Sequence, residues 1–373
     1  MQVGDDKGPQ GGRQPNVERL RATAATLAAL LALALAAPAR ATLRVGLADS
    51  DSATFSDPAY AALRVHDVRA VVPYDVALTP ATAGTPAGDR RIEFDHWVDG
   101  ARATGARPLV TFERSLDPAA FDADGRPVRP SPARYAEAMR AFLAAYPTVR
   151  DLAPWNEPNF RDDTVNPFVR APAAAARLWR TLHAACRGCR VAAGEFAGIP
   201  GDSAYITAYR RALGRARPAI WSFHAHADAN AFEAGTDRSA PATRFFLRAL
   251  PGRLWIDEAG AYFRDAAGTV QGDIAQRDAT SLLLGLARLS HRIERLYYYN
   301  LSNQCSTATR CAVQDRGLVA PLPFDARPGD ALDGGYDLAG RTRPAYDVIR
   351  ARRPVILPTA AAPVRAHRRK VAR

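Results

Sequence analysis

The sequence has little cysteine and no collagen-like composition, and each of these absences excludes a class of protein. Only 4 of the 373 residues are cysteine, too few for a small scaffold held together by disulfides. Hydrophobic residues make up 47% and charged residues 24%, which excludes a mainly disordered or collagen-like chain. The length therefore fits two ordinary domains or one large α/β barrel.

Lysine is almost absent. Lys7 and Lys370 are the only two, so arginine supplies 48 of the 50 basic residues. The formal net charge of +12 suggests nucleic-acid binding, but the arginines do not cluster between aromatic residues. Residues 1–41 hold five basic and three acidic residues and residues 352–373 seven basic and none acidic, which leaves +3 for the chain between them. We expect a flexible basic tail over 352–373 that associates with anionic cell-wall polymer, and no nucleic-acid binding.

Long hydrophobic runs are also lacking. Three arginines between residues 13 and 21 precede the apolar stretch Ala24–Ala37, and Ala39-Arg40-Ala41 follows it, an order typical of a cleaved signal peptide. The stretch is shorter than the roughly 20 residues of a membrane-spanning helix. We expect residues 1–41 to be a signal peptide and the protein to be secreted, with an uncleaved N-terminal anchor as the alternative.

The four cysteines form two close pairs. Cys186 and Cys189 make a C-x-x-C sequence, and Cys305 and Cys311 lie six residues apart. In the cytosol C-x-x-C indicates redox chemistry or metal binding. In an exported chain we expect two short-range disulfides. A zinc site with four cysteines would require both pairs to meet in space, and we expect no metal.

Eight short apolar runs are predicted strands, and most are continuous, as is typical of parallel strands buried on both faces. Amphipathic stretches that predict helices lie between them, and Ser131-Pro132 and Asp202 are helix-start signals. The predicted helices include Ser131–Tyr146, Ala171–Ala185, Ser203–Leu213 and Ile274–Leu289. The predicted strands are Leu43–Ala48, Arg69–Tyr74, Arg107–Phe112, Asp151–Trp155, Val191–Gly194, Ile220–Phe223, Leu254–Asp257 and Arg295–Tyr299.

Strands that alternate with helices or long loops predict a single-domain α/β fold, a (β/α)₈ TIM barrel over residues 42–351. The competing fold is a doubly wound sheet, which has a glycine-rich phosphate loop after its first strand. Residues 47–51 read Leu-Ala-Asp-Ser-Asp and contain no such loop. The barrel is therefore the predicted fold.

Two glutamates stand at the ends of predicted strands, where barrel enzymes hold their chemistry. Glu157 follows the fourth strand in the sequence Trp-Asn-Glu-Pro-Asn, and Glu258 ends the seventh in Trp-Ile-Asp-Glu-Ala-Gly. Two carboxyl groups across a barrel mouth suit glycoside hydrolysis, with one protonated and one ionised, and a separation of about 5–5.5 Å favours retention. The alternative is a pair of glutamates that cap loops or bind arginines.

These segments resemble clan A of the glycoside hydrolases. Residues 155–159 match the Asn-Glu-Pro signature of that clan, and residues 255–260 resemble its Trp-x-x-Glu-x-Gly strand. Residues 315–318 and 343–346 resemble the segment after strand eight in β-xylosidase-like members and their actinobacterial relatives. The resemblance implies a (β/α)₈ barrel, a carbohydrate substrate and catalysis without metal or cofactor.

The resemblance also assigns roles to individual residues. Glu157 becomes the acid/base and Glu258 the nucleophile, while Asn156 is expected to bind the 2-hydroxyl of the reacting sugar and Trp155 to lie at the substrate. His224 is expected to line the site. The alternative for either histidine of the sixth strand is a hydrogen bond to a backbone carbonyl.

Two residues depart from the pattern of the clan. His226 stands where a tyrosine usually supports the nucleophile, and Leu301 lies near the place of a tryptophan that forms the floor under the sugar. Tyr299 is then the candidate platform, unless the floor is missing. Arg69 is interpreted either as support for the nucleophile or as part of a structural salt bridge.

The expected function is that of a secreted, monomeric, retaining glycoside hydrolase. The alternative is a non-catalytic carbohydrate-binding barrel that has lost accessory residues, and the presence of both Glu157 and Glu258 argues against it. Three further carboxylates end predicted strands and are interpreted as solvated loop residues, with contacts to sugar hydroxyls as the alternative. They are Asp49, Glu113 and Glu195.

Overall fold

Nine parallel strands, β1 to β9, form one sheet. They are Arg44–Ala48, Asp67–Pro73, Arg107–Glu113, Asp151–Ala153, Arg190–Val191, Ala193–Phe196, Ile220–His224, Arg253–Ala259 and Ile293–Tyr299, in the order β5-β4-β3-β2-β1-β9-β8-β7-β6. This computed structural model describes residues 43–199, 202–265, 267–302, 305–307, 310–311, 315–320 and 340–352. The predicted signal peptide and nearly all of the predicted basic tail lie outside these residues.

The sheet curls into a barrel with eight strand positions. The two ends of the strand order, β5 and β6, are consecutive in the chain and separated only by Ala192, whose backbone N–H donates to the carbonyl of Leu152 (2.9 Å). They are therefore two halves of the fifth predicted strand. The sixth, seventh and eighth predicted strands are β7, β8 and β9. The parallel barrel confirms the predicted fold class.

Helices α1 to α9 lie between the strands and after the last one. They are Pro58–Leu63, Pro86–Ala103, Pro132–Ala145, Pro172–Ala185, Ser203–Ala212, His226–Glu233, Pro241–Ala249, Gly272–Gly285 and Pro344–Ala351, with short 3₁₀ turns at Ser52–Ser56, Pro118–Ala120 and Leu286–Leu289. Six of these helices begin with proline, which lacks the N–H that a first helical turn leaves unpaired. Ser131 caps α3 by accepting a hydrogen bond from the N–H of Arg134.

The alternation of side chains along each strand builds two cores. Leu254 and Ile256 of β8 belong to the large cluster between strands and helices, whereas Trp255 between them belongs to a smaller cluster. The other members of the smaller cluster come from five further strand positions: Ala48, Leu109, Ala192, Ile220 and Tyr297. Such a cluster of inward-pointing side chains is the filled interior expected of a TIM barrel.

The two cysteine pairs have different outcomes. Cys186 and Cys189 form a disulfide, as predicted. Cys305 lies opposite Cys311 in a two-stranded antiparallel hairpin, β10 (Cys305–Thr307) and β11 (Arg310–Cys311), but their side chains lie outside the described part of the chain. The second disulfide therefore stays a prediction. Among the described residues, no helix is long and apolar enough to cross a bilayer.

Candidate active site

The loop after β4 presents Asn156 and Glu157 at the carboxyl end of the barrel. The N–H of Asn156 donates to the carbonyl of Phe112 (2.7 Å), and that of Glu157 to the carbonyl of Glu195 (3.1 Å). Glu157 adopts a left-handed backbone with φ of 44°, a strained conformation for a residue with a side chain. The loop leaves the barrel sharply at this point, and 23% of the Glu157 side chain is exposed.

Two asparagines brace this loop. The amide of Asn166 lies within hydrogen-bonding distance of the carbonyls of Glu157, Pro158 and Phe160 (3.2, 3.1 and 2.9 Å). Asn159 accepts a hydrogen bond from the N–H of Ala197 (2.8 Å) and thereby joins the loop to the end of β6. Sequence reasoning missed Asn166, because no nearby pattern marks a residue that binds backbone nine positions before it.

Asp202 precedes α5 as predicted, but it does not cap the helix with its side chain. Its carboxylate instead accepts from Asn159 Nδ2 (2.7 Å) and forms an ion pair with Arg161 (3.1 Å). The prediction of the helix start was therefore right, whereas the implied cap was wrong. The carboxylate serves the loop that carries Glu157.

Arg69 on β2 joins the site across the barrel. Its guanidinium donates to Glu258 Oε2 (2.6 Å), to Glu195 Oε1 (2.8 Å) and to Asn156 Oδ1 (2.9 Å). The side chain is 1% exposed. Arg69 therefore forms the buried salt bridge that was one interpretation, and its contact with Glu258 is the one that support of a nucleophile requires, a role that stays a prediction.

Glu258 on β8 is held as an anion. Burial raises the pKa of its carboxyl group, but the charges of His224 and Arg69 and a hydrogen bond from His226 outweigh burial and hold the pKa well below its ordinary value. An ionised carboxylate at neutral pH is the state that a nucleophile requires.

His226, where the clan has a tyrosine, donates a hydrogen bond to Glu258. Its Nδ1 accepts from the N–H of Gly260 (3.2 Å), so Nε2 carries the proton and points it at Glu258 Oε1 (3.0 Å). Burial, followed by the charge of Arg316, lowers the pKa of His226, which keeps the ring neutral. The histidine thus supplies the donor that a tyrosine hydroxyl would supply.

His224, its neighbour on β7, pairs with the other glutamate. Its Nδ1 lies 2.7 Å from Glu157 Oε1, and the ring is completely buried. Burial lowers the pKa of His224, but the charges of Glu258 and Glu157 outweigh that effect and raise it to about 9. At neutral pH a proton therefore lies in the contact between His224 and Glu157.

A cavity of about 690 Å³ opens beside Glu258 at the carboxyl end of the strands. Tyr299 lies in its wall and approaches His226 edge-on, with 6.1 Å between ring centroids, whereas Leu301 is buried in the core. Tyr299 is thus an aromatic side chain of the cavity wall, its role as a platform stays a prediction, and its peptide bond to Asn300 is cis. Polar residues of the wall include Asp49, Glu93, Glu113, Asn156 and Glu258.

Trp155 does not contact this cavity. Its ring is 2% exposed and packs against Tyr74 and Phe168, with 6.1 and 4.8 Å between ring centroids. The expectation that Trp155 lies at the substrate is therefore not met by its position. Both residues lie in the loop after β4, where Trp155 turns its ring towards Tyr74 and Phe168 while Asn156 accepts a hydrogen bond from Arg69.

Two of the three carboxylates interpreted as solvated are buried, so that interpretation was wrong for them. Glu195 is completely buried against Arg69, and Asp49 is 7% exposed and accepts from the N–H groups of Asp51 and Leu301 (3.1 and 3.0 Å). Burial raises the pKa of Asp49 to about 7. Only Glu113, partly exposed in the cavity wall, fits a solvent-facing role.

The two segments after the eighth predicted strand, which resemble the clan, contact each other and the end of β9. Arg343 forms an ion pair with Asp315 (2.6 Å) and donates to the carbonyl of Gly317 (2.7 Å). The N–H of Leu318 donates to the carbonyl of Asn300 (3.1 Å). These contacts support the loop that carries the cis peptide bond next to the cavity.

Two trios of described residues lie close enough to hold a metal ion. Ligand atoms of His224, His226 and Glu258 lie within 4.8 Å of one another, as do those of Glu195, His224 and Asp257. Arg69 donates to a carboxylate in each trio, which places a positive charge where a cation would bind. These residues therefore fit a hydrogen-bond network better than a metal site.

Searches with the sequence and with the structure give different results. No family model and no curated protein matches the chain. Solved structures match with probability 1.00, among them a family 39 glycoside hydrolase from Bacteroides cellulosilyticus WH2 (16% identity, TM-score 0.53, 84% of this chain) and the GH39 enzyme from Xanthomonas axonopodis pv. citri (17% identity, TM-score 0.53, 84% of this chain). The chain has the fold of clan A glycoside hydrolases.

A GH5_18 structure from Streptomyces cattleya, solved in complex with GlcNAc, is similar in fold as well, at 14% identity and a TM-score of 0.53 over 83% of this chain and 79% of that one. The chain spans 64% and 66% of the two family 39 structures, just under two thirds of their length. At these identities the likeness shows the shared barrel fold alone.

Proposed function

We propose that this protein is a retaining glycoside hydrolase in which Glu258 is the nucleophile and Glu157 the acid/base. The observation that carries the proposal is the unequal environment of the two glutamates. Glu258 receives hydrogen bonds from Arg69 and His226 that stabilise its anion, whereas Glu157 is 23% exposed and among the described residues contacts no arginine, only His224 at 2.7 Å, which holds a proton that can be transferred. Two carboxyls with opposite tasks need such unequal surroundings.

The first half of the reaction forms a glycosyl-enzyme. Glu258 attacks the anomeric carbon with one oxygen while the bond to the leaving oxygen breaks, and Glu157 gives that oxygen a proton. His224, 2.7 Å from Glu157, keeps a proton within reach of the acid up to about pH 9. Arg69 and His226 hold Glu258 in one orientation for the attack.

The second half reverses the role of Glu157. As a carboxylate it takes a proton from water, the water oxygen attacks the anomeric carbon, and the bond to Glu258 breaks. Asn156 lies in the cavity wall beside Glu258 with its Oδ1 bonded to Arg69, which leaves its amide N–H₂ to bind a sugar hydroxyl. Tyr299 provides the apolar face for the sugar ring.

The test is the replacement of each glutamate. We expect Glu157→Gln and Glu258→Gln each to lower kcat by about 10²- to 10⁴-fold on aryl glycosides, because each removes a proton donor or a nucleophile. Glu137→Gln, a change at an exposed residue of α3 that pairs with Arg134, is the matched control and should keep full activity. Unfolding curves check that the three variants fold.

A covalent inhibitor separates this function from a binding-only barrel. A fluorinated glycoside that traps the glycosyl-enzyme should label Glu258, as read by peptide mass spectrometry. Sugar binding without labelling, together with full binding by the Glu258→Gln variant, would favour the non-catalytic alternative. A panel of xylosides, glucosides and N-acetylglucosaminides identifies the substrate, and xylosides come first because two further structures of similar fold are β-xylosidases from Caulobacter crescentus.

We also propose that the enzyme is exported as a monomer, with residues 1–41 as its signal peptide. The proposal is supported by the order of charged, apolar and small residues in that segment. The disulfide Cys186–Cys189 suits an oxidising compartment. N-terminal sequencing of the protein from a secreting host tests the cleavage after residue 41.

A further inference from the structure

Three buried carboxyl oxygens behind the site have no hydrogen-bond partner. They are Oε2 of Glu195 on β6 and both side-chain oxygens of Asp257 on β8. Both residues are completely buried. An ionised carboxylate without donors is costly in such surroundings, so the two groups cannot both be ordinary anions. The mechanism above uses neither residue.

The two carboxyls belong to one cluster with His224. An oxygen of Glu195, an oxygen of Asp257 and a ring nitrogen of His224 lie within 4.8 Å of one another, and His224 Nε2 is 3.7 Å from Asp257 Oδ1. Two carboxylates only accept hydrogen bonds, whereas a protonated carboxyl also donates one. A single proton on one of the two carboxyl groups would therefore allow a hydrogen bond between the unpartnered oxygens of Glu195 and Asp257.

The remaining contacts indicate which group carries the proton. Glu195 Oε1 accepts from Thr111 Oγ1 (2.5 Å) and from Arg69 Nε and Nη2 (3.1 and 2.8 Å), which stabilise its anion. Asp257 receives no comparable bond from the described residues. Burial, followed by the charge of Glu195, raises the pKa of Asp257 well above its ordinary value. Glu195 is thus the anion and Asp257 the acid.

We propose that Glu195 and Asp257 share one proton, held on Asp257, and that this pair is a positioning device that leaves the charge of Arg69 available to Glu258. The kinetic consequence rests on the proposed function, but the shared proton does not. Asp257 is the chain neighbour of Glu258, so a negative charge there would raise the pKa of the nucleophile. A neutral Asp257 leaves Arg69 facing two anions, Glu195 and Glu258.

Apart from Glu258, the titratable groups around the pair add no negative charge. Arg69 on β2 and His224 on β7 are the cations. The hydroxyls of Tyr135 on α3 and Tyr209 on α5 lie near Glu195 and contact the backbone of Pro154 and Gly194. Burial raises the pKa of both tyrosines, so both stay neutral at any pH at which the protein is assayed.

The variant Asp257→Asn tests the proposal, because an asparagine mimics the neutral acid and its amide can donate to Glu195. We expect its kcat/KM to stay within about threefold of the original protein and the acid limb of its pH profile to move by less than about 0.3 unit. Glu195→Gln should behave differently. The glutamine amide then donates to Asp257, which ionises beside Glu258, and the acid limb moves to higher pH by about one unit.

Infrared difference spectra read the proton directly and need no substrate. At neutral pH the carbonyl stretch of a protonated carboxyl should be present in the original protein and lost in both Asp257→Asn and Glu195→Gln. Thr111→Val, which removes a hydrogen bond to Glu195 but no charge, is the control and should keep the band. If the protein hydrolyses no glycoside, these spectra still decide whether Glu195 and Asp257 share a proton.

Two results would overturn the proposal. The first is an infrared result in which Asp257→Asn removes no protonated-carboxyl band from the spectrum of the original protein. The second is an acid limb that Asp257→Asn moves to lower pH by about one unit, which is the effect of deleting a true anion next to the nucleophile.

Discussion

At the scale of single residues, the two histidines of β7 show how two rings two positions apart acquire opposite charge states. His224 is surrounded by carboxylates, and its pKa is raised to about 9, whereas the neutral ring of His226 accepts from a backbone N–H and donates to Glu258. The spacing put both rings at the site, but their charge states depend on neighbours brought together only by the fold. Sequence reasoning therefore found the residues and not their protonation.

This charge state predicts the pH dependence of activity. The pKa of His224 is raised in the fold, so the proton it holds beside Glu157 is present at pH 7 and is lost as the pH rises through about 9. We expect kcat/KM to fall above that pH. Because the pKa of Glu258 lies well below its ordinary value, the acid limb should lie below the ordinary glutamate pKa of about 4.3. A pH–rate profile checks both limbs.

The variant His224→Gln tests the source of the alkaline limb. Without His224 the proton source next to Glu157 is lost, so we expect about tenfold lower kcat/KM at pH 8 and no limb at about pH 9. His183→Gln is the matched control, since His183 stacks on Trp179 in α4, far along the chain from the site, and its replacement should leave the profile unchanged. An unmoved limb in His224→Gln would contradict the assignment.

At the scale of elements, the predicted strands and helices are confirmed within one or two residues at most ends. The helix predicted at Ser203–Leu213 is Ser203–Ala212, and the strand predicted at Arg107–Phe112 is Arg107–Glu113. Apolar runs and prolines at helix starts suffice to predict these ends, because both depend only on residues close in the sequence. The burial of Glu195 against Arg69 could not be predicted from local sequence. The backbone of β6 is left-handed at Gly194 and Glu195 (φ 96° and 54°), and no local pattern indicates that the Glu195 carboxylate reaches Arg69.

The loop after β4 yields a prediction at this scale. Asn166→Ala removes the amide that contacts three carbonyls, one of them that of Glu157, so buried backbone acceptors lose a donor. We expect a loss of about 1–3 kcal/mol in the free energy of unfolding, measured by urea denaturation, and a lower kcat. Thr164→Ala, at an exposed residue of the same loop, should change neither by a comparable amount. Equal effects of both variants would refute the bracing role.

At the scale of the whole molecule, the net charge of +12 is unevenly distributed. Seven basic residues and no acidic ones lie in residues 352–373. Deletion of residues 353–373 should leave turnover of a small glycoside unchanged and weaken binding to an anionic cell-wall polymer, with the difference disappearing at high salt. Cosedimentation with wall polymer measures it. Full wall association of the shortened protein would dismiss this role of the tail.

The contacts of Arg69 have a consequence for folding. Its guanidinium, on β2, holds Glu195 of β6 and Glu258 of β8, residues more than a hundred positions along the chain from it. A half-barrel or a partly unravelled chain cannot bring these partners together, because neither β6 nor β8 pairs with β2 and Arg69 reaches both glutamates only across the barrel interior. The appearance of activity during refolding would therefore report closure of the barrel. A fragment that retains some helices and strands but not the closed barrel would be inactive.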